Sequence, residues 1–153
     1  MILINKRVFL INFTALVSSL YFLRPLTAHS AWEKDHFNSK TTEDLISLIT
    51  NNSEISQSDK INIKAPEIAE NGAVVPVSVS TDIANVKNIS IIVDNNPSPL
   101  TSTFELNPQL EAYVSTRVKM AKSSNIIAIV NTVDNQFFTS SKSIKVTIGG
   151  CGG

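Results

Sequence analysis

Cys151 is the only cysteine in 153 residues, and it stands in the closing run Gly149-Gly150-Cys151-Gly152-Gly153. A thiol attacks or ligates as its thiolate, and an unperturbed thiol ionises near about pH 8.5. No Lys, Arg or His in the tail favours the thiolate, and the nearby terminal carboxylate opposes it. The chain therefore does not activate its own cysteine. The activating groups must come from a site that the tail enters, which is the logic of a carrier and not of an enzyme with its own catalytic residues. Four glycines leave the segment without side chains to pack and without a preferred backbone basin, so residues 149–153 are expected to form a mobile arm. An exposed thiol without a role would be a liability, because it oxidises and dimerises.

Other uses of the thiol fall away on composition. One cysteine cannot close an internal disulfide. Zinc needs at least three protein ligands, and outside the N-terminal segment the chain has a single histidine, His36. A Cys–His catalytic pair would need His36, which lies near the start of the mature chain and reads as a solvated residue.

Residues 1–30 have the three-part form of a secretory signal. Lys6 and Arg7 precede a largely apolar run over residues 8–23, and Ala28-His29-Ser30 offers small residues before Ala31. The run is shorter than the roughly twenty residues a membrane span needs, and it contains Asn12, Thr14, Ser18 and Ser19. The whole chain carries 13 basic and 13 acidic side chains; the segment removes Lys6, Arg7 and Arg24 and no acid, leaving a mature charge of −3. A mildly acidic domain does not suit nucleic acid or an anionic membrane surface. Export makes a lone cysteine unusual, because oxidising compartments favour pairs.

The elements that must position the arm follow in residues 31–148, read as one domain. Thr41-Thr42-Glu43-Asp44 starts a helix, with acids where the dipole favours them. Leu45, Ile46, Leu48 and Ile49 give it an apolar face, and Asn51-Asn52-Ser53 ends it. From Ile61 onward the period is two. Val75, Val77 and Val79 share a face, as do Ile89, Ile91 and Val93, and later Ile144, Val146 and Ile148. Further apolar runs fall at Phe104 and Leu106, at residues 113–120 and at residues 126–133. Short β-branched strands near ten residues apart read as an all-β, immunoglobulin-like antiparallel sandwich with one short N-terminal helix. Asn71-Gly72 suits a tight turn at positive φ. Asn96-Pro97-Ser98-Pro99 cannot continue a strand. Asp134-Asn135 suggests a hairpin. Pro76 removes a ladder donor, so its strand is expected at an edge or bulged there, open to a partner.

The terminal pentapeptide resembles that of the SoxY family, sulfur carriers of periplasmic thiosulfate oxidation. Ala65-Pro66-Glu67-Ile68-Ala69-Glu70-Asn71-Gly72-Ala73-Val74-Val75-Pro76-Val77 is similar to that family's first strand pair. Asn96-Pro97-Ser98-Pro99-Leu100 resembles its central turn, and Thr116-Arg117-Val118-Lys119-Met120 a later strand. The resemblance implies a heterodimer with a SoxZ subunit and sulfur intermediates bound covalently to Cys151. Gly149, Gly150, Gly152 and Gly153 match the swinging arm. It implies transient contacts with SoxAX, which joins thiosulfate to the thiol, with SoxB, which releases sulfate, and with enzymes that oxidise the remaining sulfane. It implies no metal or cofactor, and a periplasmic location with no membrane contact after signal removal. Family members carry a twin-arginine signal, whereas Lys6 here replaces the first arginine. Lys119 stands where arginine is common, and Asp134-Asn135 replaces the commoner Asp-Gly.

Two readings from other classes compete. A Gly-Gly sulfur donor would carry sulfur as a thiocarboxylate on Gly153, and the signal and Cys151 count against it. An exported immunoglobulin-like binding or structural module fits the strand pattern alone, because fold does not fix function.

Overall fold

A computed structural model of the chain describes residues 34–150. The proposed signal at residues 1–30 lies outside the described residues, as do Cys151, Gly152 and Gly153. Two helices, α1 (Lys34–Asn38) and α2 (Thr42–Thr50), precede nine strands. These are β1 (Ile55–Gln57), β2 (Ile61–Lys64), β3 (Ile68–Asn71), β4 (Val75–Thr81), β5 (Val86–Val93), β6 (Leu100–Glu105), β7 (Ala112–Val118), β8 (Ser124–Thr132) and β9 (Phe137–Ile148).

The expected helix is α2. Thr41 caps it, its side chain accepting from the Asp44 amide, and Asn51 closes it in the left-handed region at φ 51°. Thr42 is buried, and its hydroxyl donates to Asp94 Oδ1 at 2.6 Å, tying the helix start to the turn after β5. The second helix, α1, was not expected: a five-residue turn carries too little periodicity to show in the sequence. His36 lies on it and is half-buried, less open than the solvated residue the sequence suggests.

The strands form two sheets. The larger runs β1-β9-β8-β5-β6, with β3 also beside β9, and the smaller runs β2-β4-β7. Alternation sorts the side chains. Ile89, Ile91, Val93, Ile126, Ala128 and Val130 face Val75, Val77, Val79, Val114 and Val118 of the smaller sheet. The intervening Ile92, Leu100, Ile129 and Phe137 face Leu45 of α2 instead. The larger sheet is therefore buried on both faces, which explains the unbroken buried run at the end of β5.

The architecture is the immunoglobulin-like sandwich expected, but not wholly antiparallel. β1 and β3 each pair with β9 in parallel. Residues 65–77 also do not form a strand pair with each other. β3 joins β9, whereas β4 lies between β2 and β7. The Asn71-Gly72 turn thus carries the chain from one sheet to the other. Pro76 lies on the middle strand of the smaller sheet. However, β2 ends with Lys64 opposite Ser78, so Pro76 pairs only with Arg117 of β7 and needs no donor on its other side. The other turns fall where expected. Residues 94–99 separate β5 from β6, and Asn135, at φ 55°, turns β8 into β9. No helix among the described residues is long and apolar enough to cross a membrane.

Candidate functional site: the root of the C-terminal arm

The last twelve-residue strand, β9, delivers the chain to Gly149 and Gly150. Its final residues run beside β3, Ile68 opposite Lys145 and Asn71 opposite Ile148. Beyond Ile144, β9 has no partner residue on β8. Ser123 substitutes there, its hydroxyl accepting from the Val146 amide at 2.9 Å.

Three backbone hydrogen bonds then tie the end of the strand to two loops. The Gly72 amide donates to the Ile148 carbonyl at 2.7 Å, the Met120 amide to the Gly72 carbonyl at 2.7 Å, and the Gly150 amide to the Met120 carbonyl at 2.9 Å. Met120 is buried, and so is Gly72. The loop bearing Met120 is itself braced by Asn96. Its side-chain amide donates to the Lys119 carbonyl at 2.7 Å and its Oδ1 accepts from the Ala121 amide at 2.9 Å. Asn95 adds two bonds to the same loop, one to the Ser123 carbonyl and one to Ser124 Oγ.

The glycines at this root are there for space. A Cβ on Gly72 would strike the Met120 carbonyl and lie 2.8 Å from the Gly150 nitrogen and 2.9 Å from Val146 Cγ1. A Cβ on Gly149 would strike the Ala121 carbonyl, and one on Gly150 the carbonyl of Gly72. None of the three has positive φ. The turn at Asn71-Gly72 is present, but its left-handed backbone is not. Asn71 Oδ1 instead accepts from the Ala73 amide at 2.8 Å, an Asx turn.

Of the expected site residues, Gly149 and Gly150 lie here, against the body of the protein. Cys151, Gly152 and Gly153 fall outside the described residues. The sequence reading missed the parts played by Gly72, Met120 and Asn96 in holding the root. A signal was present: the chain has five glycines, four in the tail, and the fifth is Gly72. No group of three or more His, Cys, Asp or Glu among the described residues could hold a metal ion.

Fold and root together define an immunoglobulin-like sandwich that hands off its C-terminal segment from the end of its longest strand. The chain belongs to the SoxY family: the family model for sulfur oxidation protein SoxY matches residues 46–151. Among solved structures, it is similar to the sulfur carrier protein SoxY from Chlorobium limicola f thiosulfatophilum, at 40% identity and TM-score 0.64. That match covers 69% of this chain and 96% of the other. A superoxide reductase (neelaredoxin) from Ignicoccus hospitalis matches at 19% identity and TM-score 0.54, covering 60% of this chain and 94% of that one. A putative superoxide reductase from Thermotoga maritima matches at 21% and 0.52, covering 60% and 93%. These last two show a shared fold. No curated protein matches the chain in sequence.

Proposed function

We propose that this protein is a covalent carrier of sulfur intermediates in thiosulfate oxidation, holding them on the Cys151 thiol. The observation that carries the reading is the extent of the family match, which runs to Cys151, the sole thiol of the chain. The 40% identity to a protein named as a sulfur carrier supports it.

The chemistry asks little of the protein itself. An oxidising partner joins the outer sulfur of thiosulfate to the Cys151 sulfur. A disulfide bond forms, the thiol proton leaves to water, and an electron pair passes to the partner, a cytochrome complex of the SoxAX class. The product is a cysteine S-thiosulfonate. A hydrolase of the SoxB class then adds water across the terminal S–S bond. Sulfate and a proton leave, and the persulfide remains on Cys151 for further oxidation or transfer. The base, the electron acceptor and the hydrolytic site all belong to partners. This protein supplies the sulfur atom and its presentation, and is not itself an enzyme.

A SoxZ subunit completes a heterodimer in this reading. Residues 1–30 direct export to the periplasm by a twin-arginine-like route, Lys6 standing for the first arginine. The mature charge of −3 fits partners other than nucleic acid.

Cys151→Ser tests the carrier step. After incubation of the mature protein with thiosulfate and a thiosulfate-oxidising periplasmic extract, wild type gains sulfur by intact mass. The variant gains none, while its thermal unfolding stays unchanged. Equal sulfur uptake by the serine variant would contradict the reading.

A further inference from the structure

We infer that Gly72 is the positioning residue of the carrier arm, and that Gly149 and Gly150 form a backbone latch on it instead of belonging to the free arm. The inference rests on the proposed carrier role of Cys151 and adds to it where the arm begins. All three described glycines of the chain meet at one point. From Ile148 to Gly150 the chain is held by an unbroken relay. Ile148 accepts from Gly72, Gly72 accepts from Met120, and Met120 accepts from Gly150. Each link passes through a place where a methyl group would collide with backbone.

The latch has a direct consequence for reach. An arm rooted at Ile148 would place three residue lengths before the thiol, roughly 10 Å when extended. Rooted at Gly150, the arm places one residue length before it, about 3.5 Å. The latch therefore sets how much chain separates the thiol from the body of the protein, and lengthening a tether beyond the span it must cover lowers the effective concentration at a partner's site. Asn96 acts through the latch. By holding Lys119 and Ala121 on either side of Met120, it fixes the carbonyl that receives Gly150.

Amide hydrogen exchange on the full mature protein, read by NMR, tests the latch. The Gly150 amide of wild type is expected to exchange at least about fivefold more slowly than unstructured chain, the effect of one hydrogen bond. Gly72→Ala is expected to abolish that protection. Partner-dependent sulfur loading of Cys151 should then fall several-fold relative to its alkylation by iodoacetamide. A merely structural defect would move both reactions and the unfolding temperature together. Should Gly72→Ala fail to fold, Gly150→Ala tests the same contact from the other side, its Cβ meeting the Gly72 carbonyl. An unprotected Gly150 amide in wild type, or protection that survives Gly72→Ala, overturns the latch. Sulfur loading of Cys151 alongside an unprotected Gly150 overturns the latch alone. A protected Gly150 beside a Cys151 that never takes sulfur overturns the carrier role and leaves the latch geometry standing.

Discussion

Tyr113 stands on the outer face of the smaller sheet, half exposed, where its hydroxyl donates to Ser78 Oγ at 3.4 Å. Ser78 in turn shares a 3.0 Å hydrogen bond with Ser115 across β4 and β7. Once the phenol ionises, these hydroxyls, Ser78 foremost and then Ser115, can rotate to donate to the phenolate, which holds the Tyr113 pKa below its usual value. The folded value lies below the unfolded one. The small stabilisation is therefore present above the unfolded pKa and lost as pH falls through the folded pKa. Ser78→Ala should shift the Tyr113 titration upward. Ultraviolet absorbance reads it cleanly in the proposed mature protein, because the only other tyrosine is Tyr21, within the proposed signal at residues 1–30. An unmoved midpoint would contradict the assignment. Gly149 shows a different residue-level effect. A methyl group there would strike the Ala121 carbonyl, which is backbone and has no rotamer to give way. Gly149→Ala should therefore cost about 1–3 kcal/mol, as overpacking does, and raise exchange at residue 150. At this scale the sequence was misleading for Gly72. Its pairing with Asn71 suggests positive φ, whereas the real demand is empty space, set by residues about fifty and eighty positions away that no local pattern records.

Among the elements, the larger sheet is expected to be the sensitive one, because helix and smaller sheet bury both its faces. Ile129 is 1% exposed beneath α2. Ile129→Ala should cost about 2–5 kcal/mol, measured by chemical denaturation. A cost below about 1 kcal/mol would mean that α2 does not pack there in solution. The turn before β6 carries a second expectation. Asn96→Ala removes two hydrogen bonds from the loop after β7 and leaves the Ala121 amide unpaired, a loss of about 1–3 kcal/mol. It should also quicken Gly150 exchange, and unchanged exchange would break the link between Asn96 and the arm. Elements with period two, or with caps such as Thr41 and Asn51, were legible in the sequence. The parallel strands β1 and β3 were not. Each is three or four residues long, and its partner β9 lies far along the chain. Pro76 signalled a missing ladder bond correctly, but the gap arises because β2 is short, not because β4 is an edge strand.

For the whole molecule, a sandwich without a metal-holding cluster among its described residues ends its longest strand in a glycine root and a lone thiol. The superoxide reductases of similar fold show how little the sandwich alone fixes. The SoxY match, running to Cys151, is what separates this chain from an exported binding module. It also separates it from a donor that would load the Gly153 carboxylate. The SoxY family was legible in the sequence, and the proposed carrier site at the tail is defined there by what it lacks: no base, no second thiol, no side chain to pack. The root was not legible, because it is built by loops that only the fold brings together. Intact-mass analysis and peptide mapping of the protein recovered from its host growing on thiosulfate read directly whether Cys151 carries sulfur. Sulfur adducts that map to Cys151 are expected. A thiol that stays unmodified throughout growth, or a modification on the Gly153 carboxylate, would contradict the proposed carrier role.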